Sequence, residues 1–125
     1  MILADTSVWV DHLRRSDAAV AARLAAGAVL MHPFVIGELA CGVMPRRAET
    51  LALLSELPLV AMASHTEVVG FIDRHSLAGR GVGFIDFHLV ASTMLTPQAR
   101  LWTRDRRLAA LAAEFGLLHD EKNGG

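Results

Sequence analysis

Short apolar runs alternate along this chain with longer segments of helical periodicity, and this alternation limits the fold more than any other feature. The runs that we interpret as buried strands cover residues 1–4, 28–31, 59–63, 100–103 and 117–118. Helix signals separate them: Gly27 ends one helical segment, and Pro33 suits the first turn of the next. Strands that alternate with helices over short connections favour a parallel sheet with helices on both faces. We therefore predict a three-layer α/β fold with a central parallel sheet of four to five strands flanked by helices.

The length and composition of the chain fit one globular domain. It has 125 residues, of which 53% are hydrophobic and 20% charged, and this balance favours a packed core over disorder. We expect a single domain over residues 1–125, with residues 119–125 as a frayed tail. The formal net charge of −1 indicates neither a histone-like polyanion binder nor an acidic tail protein.

The single cysteine and the pattern of apolar runs restrict the cellular setting. Cys41 has no partner for an internal disulfide, and a lone cysteine excludes a Cys-cluster zinc site. No apolar run approaches the ~18 residues of a membrane span, and Asp5 interrupts the N-terminal sequence before a signal peptide is complete. We expect a cytoplasmic protein with no membrane segment. The high apolar share also predicts exposed apolar surface and, as the default, a homodimer.

Two carboxylates stand where helical periodicity gives them apolar or small neighbours. For Glu38 the residues three and four positions away are those at 34, 35, 41 and 42. For Asp86 they are those at 82, 83, 89 and 90. Residues at these spacings share one helix face, so we expect both acids to point inward. Buried carboxylates are rare unless they are paired, hydrogen-bonded or bound to a metal.

Two further acids follow predicted strands. Asp5 and Asp105 come at the ends of the first and fourth predicted strands, and open parallel sheets bind ligands outside the carboxyl ends of their strands. Few basic residues are near: Arg104 and Arg106 flank Asp105, and the sole lysine is Lys122. Four clustered carboxylates would weaken the fold unless a divalent cation lay between them. We infer a metal site, and oxygen-only ligands favour magnesium or manganese over zinc.

Each acid also has a purely structural interpretation. Asp5 and Asp105 are suitable helix N-caps. Asp86 would favour a helix N-terminus through the macrodipole, and Glu38 would face solvent in a different helix register. Two other protein classes stay open. A phosphoryl-transfer or receiver-type α/β domain also gathers acids around magnesium, although the paired acids and late lysine of a receiver are missing. A non-catalytic binding module would use an acidic pocket to accept an arginine or a basic peptide.

Four motifs resemble those of the PIN-domain family and, within it, the VapC toxins of toxin–antitoxin pairs. They are Asp5-Thr6-Ser7-Val8-Trp9-Val10-Asp11, Glu38-Leu39-Ala40-Cys41-Gly42, Gly81-Val82-Gly83-Phe84-Ile85-Asp86 and Trp102-Thr103-Arg104-Asp105. Together they span nearly the whole chain. The resemblance implies a PIN-like fold and a magnesium- or manganese-dependent ribonuclease that cuts single-stranded or looped RNA. It also implies a homodimer and a cognate antitoxin protein that holds the enzyme inactive.

The resemblance assigns roles to individual residues. The acidic quartet that would hold the metal consists of Asp5, Glu38, Asp86 and Asp105. Thr6 and Thr103 carry over as supporting hydroxyls. Whether one or two ions act stays open, because four carboxylates can hold two ions or Asp105 can bind through water. The implied reaction is hydrolysis of a phosphodiester bond, in which the ion activates water and neutralises transition-state charge.

The basic residues supply candidates for RNA binding. With the acidic quartet set aside, nine acids remain against twelve bases, a mild positive bias that suits phosphate contacts. Eleven of the twelve bases are arginine, which binds phosphate in a bidentate manner. The arginines nearest to the motifs are Arg80, Arg104, Arg106 and Arg107, and we expect them to contact RNA.

Overall fold

A short parallel β-sheet organises the fold in the computed structural model, which describes residues 1–121. Its strands within these residues are β1 (Ile2–Ala4), β2 (Val29–Leu30) and β3 (Arg100–Trp102), in the order β2-β1-β3. The central strand β1 pairs with both neighbours: Leu3 lies opposite Leu30 on one side and opposite Leu101 on the other. Because all three strands are parallel, their carboxyl ends meet at one edge of the sheet.

Helices flank this sheet throughout the described chain. They are α1 (Thr6–Arg14), α2 (Ala18–Ala25), α3 (Pro33–Ala40), α4 (Arg47–Ser55), α5 (His65–Arg74), α6 (Phe84–Leu95) and α7 (Arg106–Glu114). Local sequence explains their starts: Asp5 caps α1, Pro33 begins α3, and Ser64 with Glu67 forms a capping box at α5. Over residues 1–121 no helix combines the length and the apolar character that a bilayer crossing requires.

The sheet is smaller than the four to five strands predicted from the sequence. In segments 59–63 and 117–118 only Leu59 and Leu118 pair with the sheet region, each through one isolated bridge, to Met31 and to Leu101. The pairing with Met31 stops because Pro33, two residues later, begins α3 and has no amide hydrogen to continue a ladder. The amides of residues 61 and 63 lie on the opposite side of their segment from the Val60 amide, which donates to Met31, and they bond to the hydroxyls of Thr96 and Ser92 at 2.9 and 3.0 Å. The predicted strand number is therefore wrong, although the parallel α/β architecture is confirmed.

The core surrounds the central strand on both faces. Leu3 and Leu101 are fully buried in neighbouring strands, and Leu89 of α6 and Leu108 of α7 are buried with them. Burying each of these side chains stabilises the fold by about 2 kcal/mol. Trp9 and Trp102 are predicted core residues, and the structure confirms this with exposures of 2% and 1%.

The C-terminal segment up to residue 121 is attached to β3. The amide of His119 donates to the Leu101 carbonyl at 2.8 Å, and the His119 ring lies 5.1 Å from that of Trp102. Glu121 accepts hydrogen bonds from the guanidinium of Arg104. His119 and Glu121 thus contact β3 and the loop after it, while the frayed tail over residues 119–125 stays a prediction. Residues 122–125 lie outside the described part of the chain.

Candidate functional site

The edge where β1 and β3 end brings Asp5 and Asp105 together. Asp5 directly follows β1, and its amide donates to the carbonyl of Trp102, the last residue of β3, at 2.9 Å. Both acids are also helix N-caps: one oxygen of Asp5 accepts from the Val8 amide at 3.2 Å, and one of Asp105 accepts from the Leu108 amide at 2.9 Å. Capping occupies only one oxygen of each carboxylate. Asp5 and Asp105 can therefore be helix N-caps and members of a metal site at the same time.

Hydroxyl groups fix the orientation of the Asp5 carboxylate, which is buried at 4% exposure. Thr103 donates to Asp5 Oδ2 at 2.5 Å and accepts a hydrogen bond from the Asp105 amide at 3.0 Å. Ser7 donates to Asp5 Oδ1 at 2.5 Å. Both contacts go to a charged acceptor, which makes them stronger than hydrogen bonds between neutral groups.

Ser7 is a site residue that was not predicted from the sequence. Its hydroxyl accepts from the Arg104 amide at 3.0 Å while it donates to Asp5. The available signal was the hydroxyl residue two positions after the acid in Asp5-Thr6-Ser7. That spacing is also typical of an ordinary helix start, so it could not distinguish the two uses.

Glu38 reaches the same region from α3. The hydroxyl of Thr6, the first residue of α1, donates to Glu38 Oε1 at 2.8 Å and so links the two helices. Glu38 is exposed, which corrects the prediction that it points into the core. The reason is that its helical neighbours Phe34 and Gly42 are themselves exposed. Glu38 and Gly42 line an open cleft of about 390 Å³, so the face they share borders solvent.

Asp86 interacts electrostatically with the other three predicted acids. It lies in the first turn of α6 and is partly buried. Burial, and after it the negative charges of Asp5, Glu38 and Asp105, raise the pKa of Asp86 from its ordinary value of 3.8 to about 6. The structure therefore places the whole acidic quartet in one region. None of the ion pairs within residues 1–121 involves any of the four acids.

The donor set has the chemistry of a site for a hard divalent cation. It consists of carboxylate oxygens, the ligands that magnesium and manganese prefer. In the chain up to residue 121, no three His, Cys, Asp or Glu side chains are already arranged as a coordination shell. Mutual repulsion keeps uncompensated carboxylates apart. Glu38 and Asp105 are exposed at the surface, so these two side chains have room to turn toward a cation.

Arg104 is held by carboxylates of its own chain. Its guanidinium lies 2.8 Å from Asp11, 2.8 Å from Asp17 and 2.6 Å from Glu121. It also lies 5.6 Å above the ring of Trp102. These contacts tie the loop after β3 to the first two helices and to the C-terminal segment. Arg104 is therefore less available to a phosphate than its place next to Asp105 indicated.

The other three arginines predicted to contact RNA differ in their engagement. Arg80 forms an ion pair with Glu114. Arg106 and Arg107 are exposed at the start of α7, directly after Asp105, and neither belongs to an ion pair within residues 1–121. Arg106 and Arg107 thus combine exposure with proximity to the acidic quartet.

Comparison with known proteins agrees with this geometry. The model of the PIN domain family matches residues 2–114, a range that contains all four acids. Ribonuclease VapC32 of Mycobacterium tuberculosis is 45% identical over 117 residues, which cover 94% of this chain and 94% of that protein. The same relative occurs in the strains CDC 1551 and H37Rv. The chain therefore belongs to the PIN domain family.

Proposed function

We propose that this chain is a magnesium- or manganese-dependent endoribonuclease and the toxin component of a VapBC-type toxin–antitoxin pair. The observation that carries the proposal is that three other carboxylates interact with the partly buried Asp86: burial, and after it these three charges, raise the pKa of Asp86 to about 6. The quartet lies at the carboxyl edge of a parallel sheet, and such folds bind ligands at that edge. Family membership and the similarity to ribonuclease VapC32 support an RNA substrate.

In this proposal the acidic quartet holds one or two divalent ions, and its ligands are Asp5, Glu38, Asp86 and Asp105. A divalent ion supplies two effects when bound: it lowers the pKa of water and neutralises charge on a reacting phosphate. The protein contributes the position and charge of the carboxylates. Asp86 keeps its proton up to about pH 6 in the metal-free protein, and a nearby cation favours release of that proton.

The supporting hydroxyls orient two of these carboxylates. Thr103 holds Asp5 through a buried hydrogen bond, and Thr6 holds Glu38 through an exposed one. Oriented ligands reduce the conformational entropy that must be lost when a cation binds. Thr6 and Thr103 therefore act on the metal site through the carboxylates that they orient.

RNA binding is assigned to the basic side chains beside the quartet. Arg106 and Arg107 are exposed next to Asp105, so they are the strongest candidates for phosphate contacts. Arg80 and Arg104 are held by acids of the chain, and we assign them a weaker part. Phosphate contacts position a strand without reading its sequence, so these arginines imply no base preference.

Exposed apolar side chains are consistent with binding to protein partners. Val43, Leu53 and Leu59 are each more than half exposed, and Val43 lies beside the cleft that contains Glu38. We propose that the chain forms a homodimer and that a cognate antitoxin protein holds it inactive. We also propose that the toxin and the antitoxin are cytoplasmic. Light scattering at micromolar concentration tests the dimer, and a strictly monomeric mass would contradict it.

Cleavage of RNA by the purified protein tests the proposed activity. We expect cleavage of single-stranded or looped RNA with magnesium or manganese, and its loss when EDTA removes the ion. Asp5→Asn and Asp86→Asn should be inactive, whereas Asp73→Asn, an exposed acid on α5, should cleave normally. Unchanged cleavage by both quartet variants would reject the proposal. Tight binding of a basic peptide without any cleavage would favour the non-catalytic binding module instead.

A further inference from the structure

Two chains of hydrogen bonds, called relays below, each run from a backbone amide through a hydroxyl group to the Asp5 carboxylate. One of the two hydroxyls belongs to Ser7, which lies outside the acidic quartet. We propose that Ser7 is a positioning residue which, together with Thr103, presents the Asp5 carboxylate to a divalent cation through Oδ2 alone. This inference rests on the proposed function, because it requires Asp5 to be a metal ligand.

The relays begin at two consecutive backbone amides of the loop after β3. The Arg104 amide donates to Ser7 Oγ at 3.0 Å, and the Asp105 amide donates to Thr103 Oγ1 at 3.0 Å. Each hydroxyl then donates to Asp5, Ser7 to Oδ1 at 2.5 Å and Thr103 to Oδ2 at 2.5 Å. A hydroxyl that accepts from an amide directs its own proton elsewhere. Both protons therefore point to the carboxylate, and neither relay can run in the opposite direction.

The two oxygens of Asp5 differ in the donors they accept. Oδ1 accepts from the Ser7 hydroxyl and from the Val8 amide, whereas Oδ2 accepts from the Thr103 hydroxyl. A carboxylate offers about four lone-pair positions, two on each oxygen. Among the described residues, three donors occupy three of these positions, and the fourth is on Oδ2. Asp5 can thus give a cation one oxygen without breaking any of its hydrogen bonds.

The contacts of Arg104 hold the first relay in place. Its guanidinium is bound by Asp11 of α1, by Asp17 at the start of α2 and by Glu121 of the C-terminal segment. The Arg104 amide is consequently fixed against the first turn of α1, where Ser7 lies. Ser7 links this anchored loop to the Asp5 carboxylate. The ion pairs of Arg104 therefore help to hold the proposed metal ligand in one orientation.

Replacing Ser7 by alanine removes both ends of that link. The Arg104 amide loses its acceptor, and Asp5 Oδ1 keeps only the Val8 amide as a donor. The carboxylate is then free to turn, and the conformational entropy lost when a cation fixes it weakens cation binding. Loss of a hydrogen bond to a metal ligand typically lowers metal affinity about 10- to 100-fold, and we expect a decrease of that size.

Calorimetric titration of MnCl₂ into the metal-free full-length protein tests the proposal. We expect the Kd for Mn²⁺ to rise about 10- to 100-fold in Ser7→Ala and to return close to the wild-type value in Ser7→Thr, which keeps the hydroxyl. Ser92→Ala is the matched control, because Ser92 also accepts a hydrogen bond from a distant amide, that of Ala63. It should lower the melting temperature and leave the Kd unchanged. Should Ser7→Ala not fold, Ser7→Cys serves instead, since a thiol is a weak donor.

Hydrogen exchange gives a second readout that needs no metal. The Arg104 amide should exchange faster in Ser7→Ala than in the wild type and be unaffected in Ser92→Ala. An unchanged Kd for Mn²⁺ in Ser7→Ala would overturn this inference alone, provided that the wild type binds Mn²⁺ and cleaves RNA. Equal losses of affinity in Ser7→Ala and Ser92→Ala would overturn it too, because they would reflect general destabilisation. A wild type that neither binds Mn²⁺ nor cleaves RNA would overturn the proposed function and this inference together.

Discussion

The Thr103 hydroxyl donates a hydrogen bond to Asp5 Oδ2 at 2.5 Å, although the two residues lie 98 positions apart in the sequence. The contact forms because β1 and β3 are adjacent and parallel, so the residues that follow them leave the sheet at the same edge. The same pairing brings Asp105 to that edge. The sheet, rather than any local motif, therefore joins the two ends of the site.

Thr103→Val tests the contribution of this contact. Valine keeps nearly the same volume in a buried position, but it removes the donor to Asp5 and the acceptor for the Asp105 amide. We expect the rate of RNA cleavage to fall about 10- to 100-fold, with a higher requirement for metal. Rates measured over a range of Mg²⁺ concentrations check this. Thr103→Ser should stay near wild type, and a wild-type rate in Thr103→Val would show that the contact is dispensable.

Asp86→Asn should stabilise the metal-free protein while it abolishes cleavage. The folded pKa of about 6 lies above the ordinary 3.8, so this acid favours folding at low pH and loses that contribution as the pH rises through 6. At pH 7 the ionised side chain is unfavourable by an amount on the order of 3 kcal/mol, which the amide removes. Urea unfolding with and without Mg²⁺ measures the change. Added Mg²⁺ should stabilise the wild type more than the variant.

Asp73→Asn provides the comparison for that measurement. Asp73 is exposed on α5 and lies outside the acidic quartet, so the same chemical change should alter stability little in either condition. If Asp86→Asn were less stable than the wild type at pH 7 without metal, the repulsion attributed to the quartet would be contradicted.

The sequence predicted the parallel architecture but overestimated the sheet. Alternation of apolar runs and helix signals determines which segments are extended, and the strands β1, β2 and β3 lie where it placed them. Ladder length depends on where the partner strand ends. The partner of segment 59–63 ends at Pro33, which begins α3, and the apolar pattern of 59–63 carries no information about that end.

The site was predictable at the acids and less so around them. Asp5 and Asp105 follow strands, so the edge they share could be predicted once the sheet was taken as parallel. The exposure of Glu38 could not, because a helix face with apolar neighbours is buried only if another element covers it. Ser7 was missed because its acceptor role depends on the amide of Arg104, which is distant in the sequence.

His32 predicts a separate effect of pH on stability. It is fully buried at the start of α3, where Nδ1 accepts from the Phe34 amide at 3.0 Å. Burial, and after it the charge of His88, lowers the pKa of His32 from 6.5 to about 4. Between these values the unfolded chain binds the extra proton, so the contribution of His32 is complete above pH 6.5 and is lost as the pH falls toward 4. The loss is on the order of 3 kcal/mol.

His32→Asn isolates this effect, because asparagine caps the helix but does not titrate. Stability measured by urea unfolding at pH 4.5 and at pH 7.5 should differ less in the variant than in the wild type. Titrating groups that do not interact with His32 contribute equally to both proteins, so the comparison cancels them. His75→Asn, at an exposed position, should keep the wild-type difference. An equal pH dependence in His32→Asn and the wild type would contradict the assignment.

The arginines near the quartet should separate into RNA-binding and structural residues. We expect the double variant Arg106→Ala/Arg107→Ala, in an Asp86→Asn background that cannot cleave, to bind single-stranded RNA with a weaker salt dependence. The slope of log affinity against log salt should fall by about 1.4, or 0.7 for each lost phosphate contact. Fluorescence anisotropy at several salt concentrations measures it, and an unchanged slope would remove both residues from the RNA interface.

Arg104→Ala in the same background should behave in the opposite way. Its guanidinium is already bound by Asp11, Asp17 and Glu121, so its removal should leave the salt dependence of RNA binding unchanged. These partly exposed ion pairs should instead contribute about 1–2 kcal/mol to the free energy of unfolding. Urea unfolding measures that loss. A reduced salt slope in Arg104→Ala would mean that Arg104 exchanges its carboxylate partners for phosphate when RNA binds, because only a lost phosphate contact changes the number of ions released.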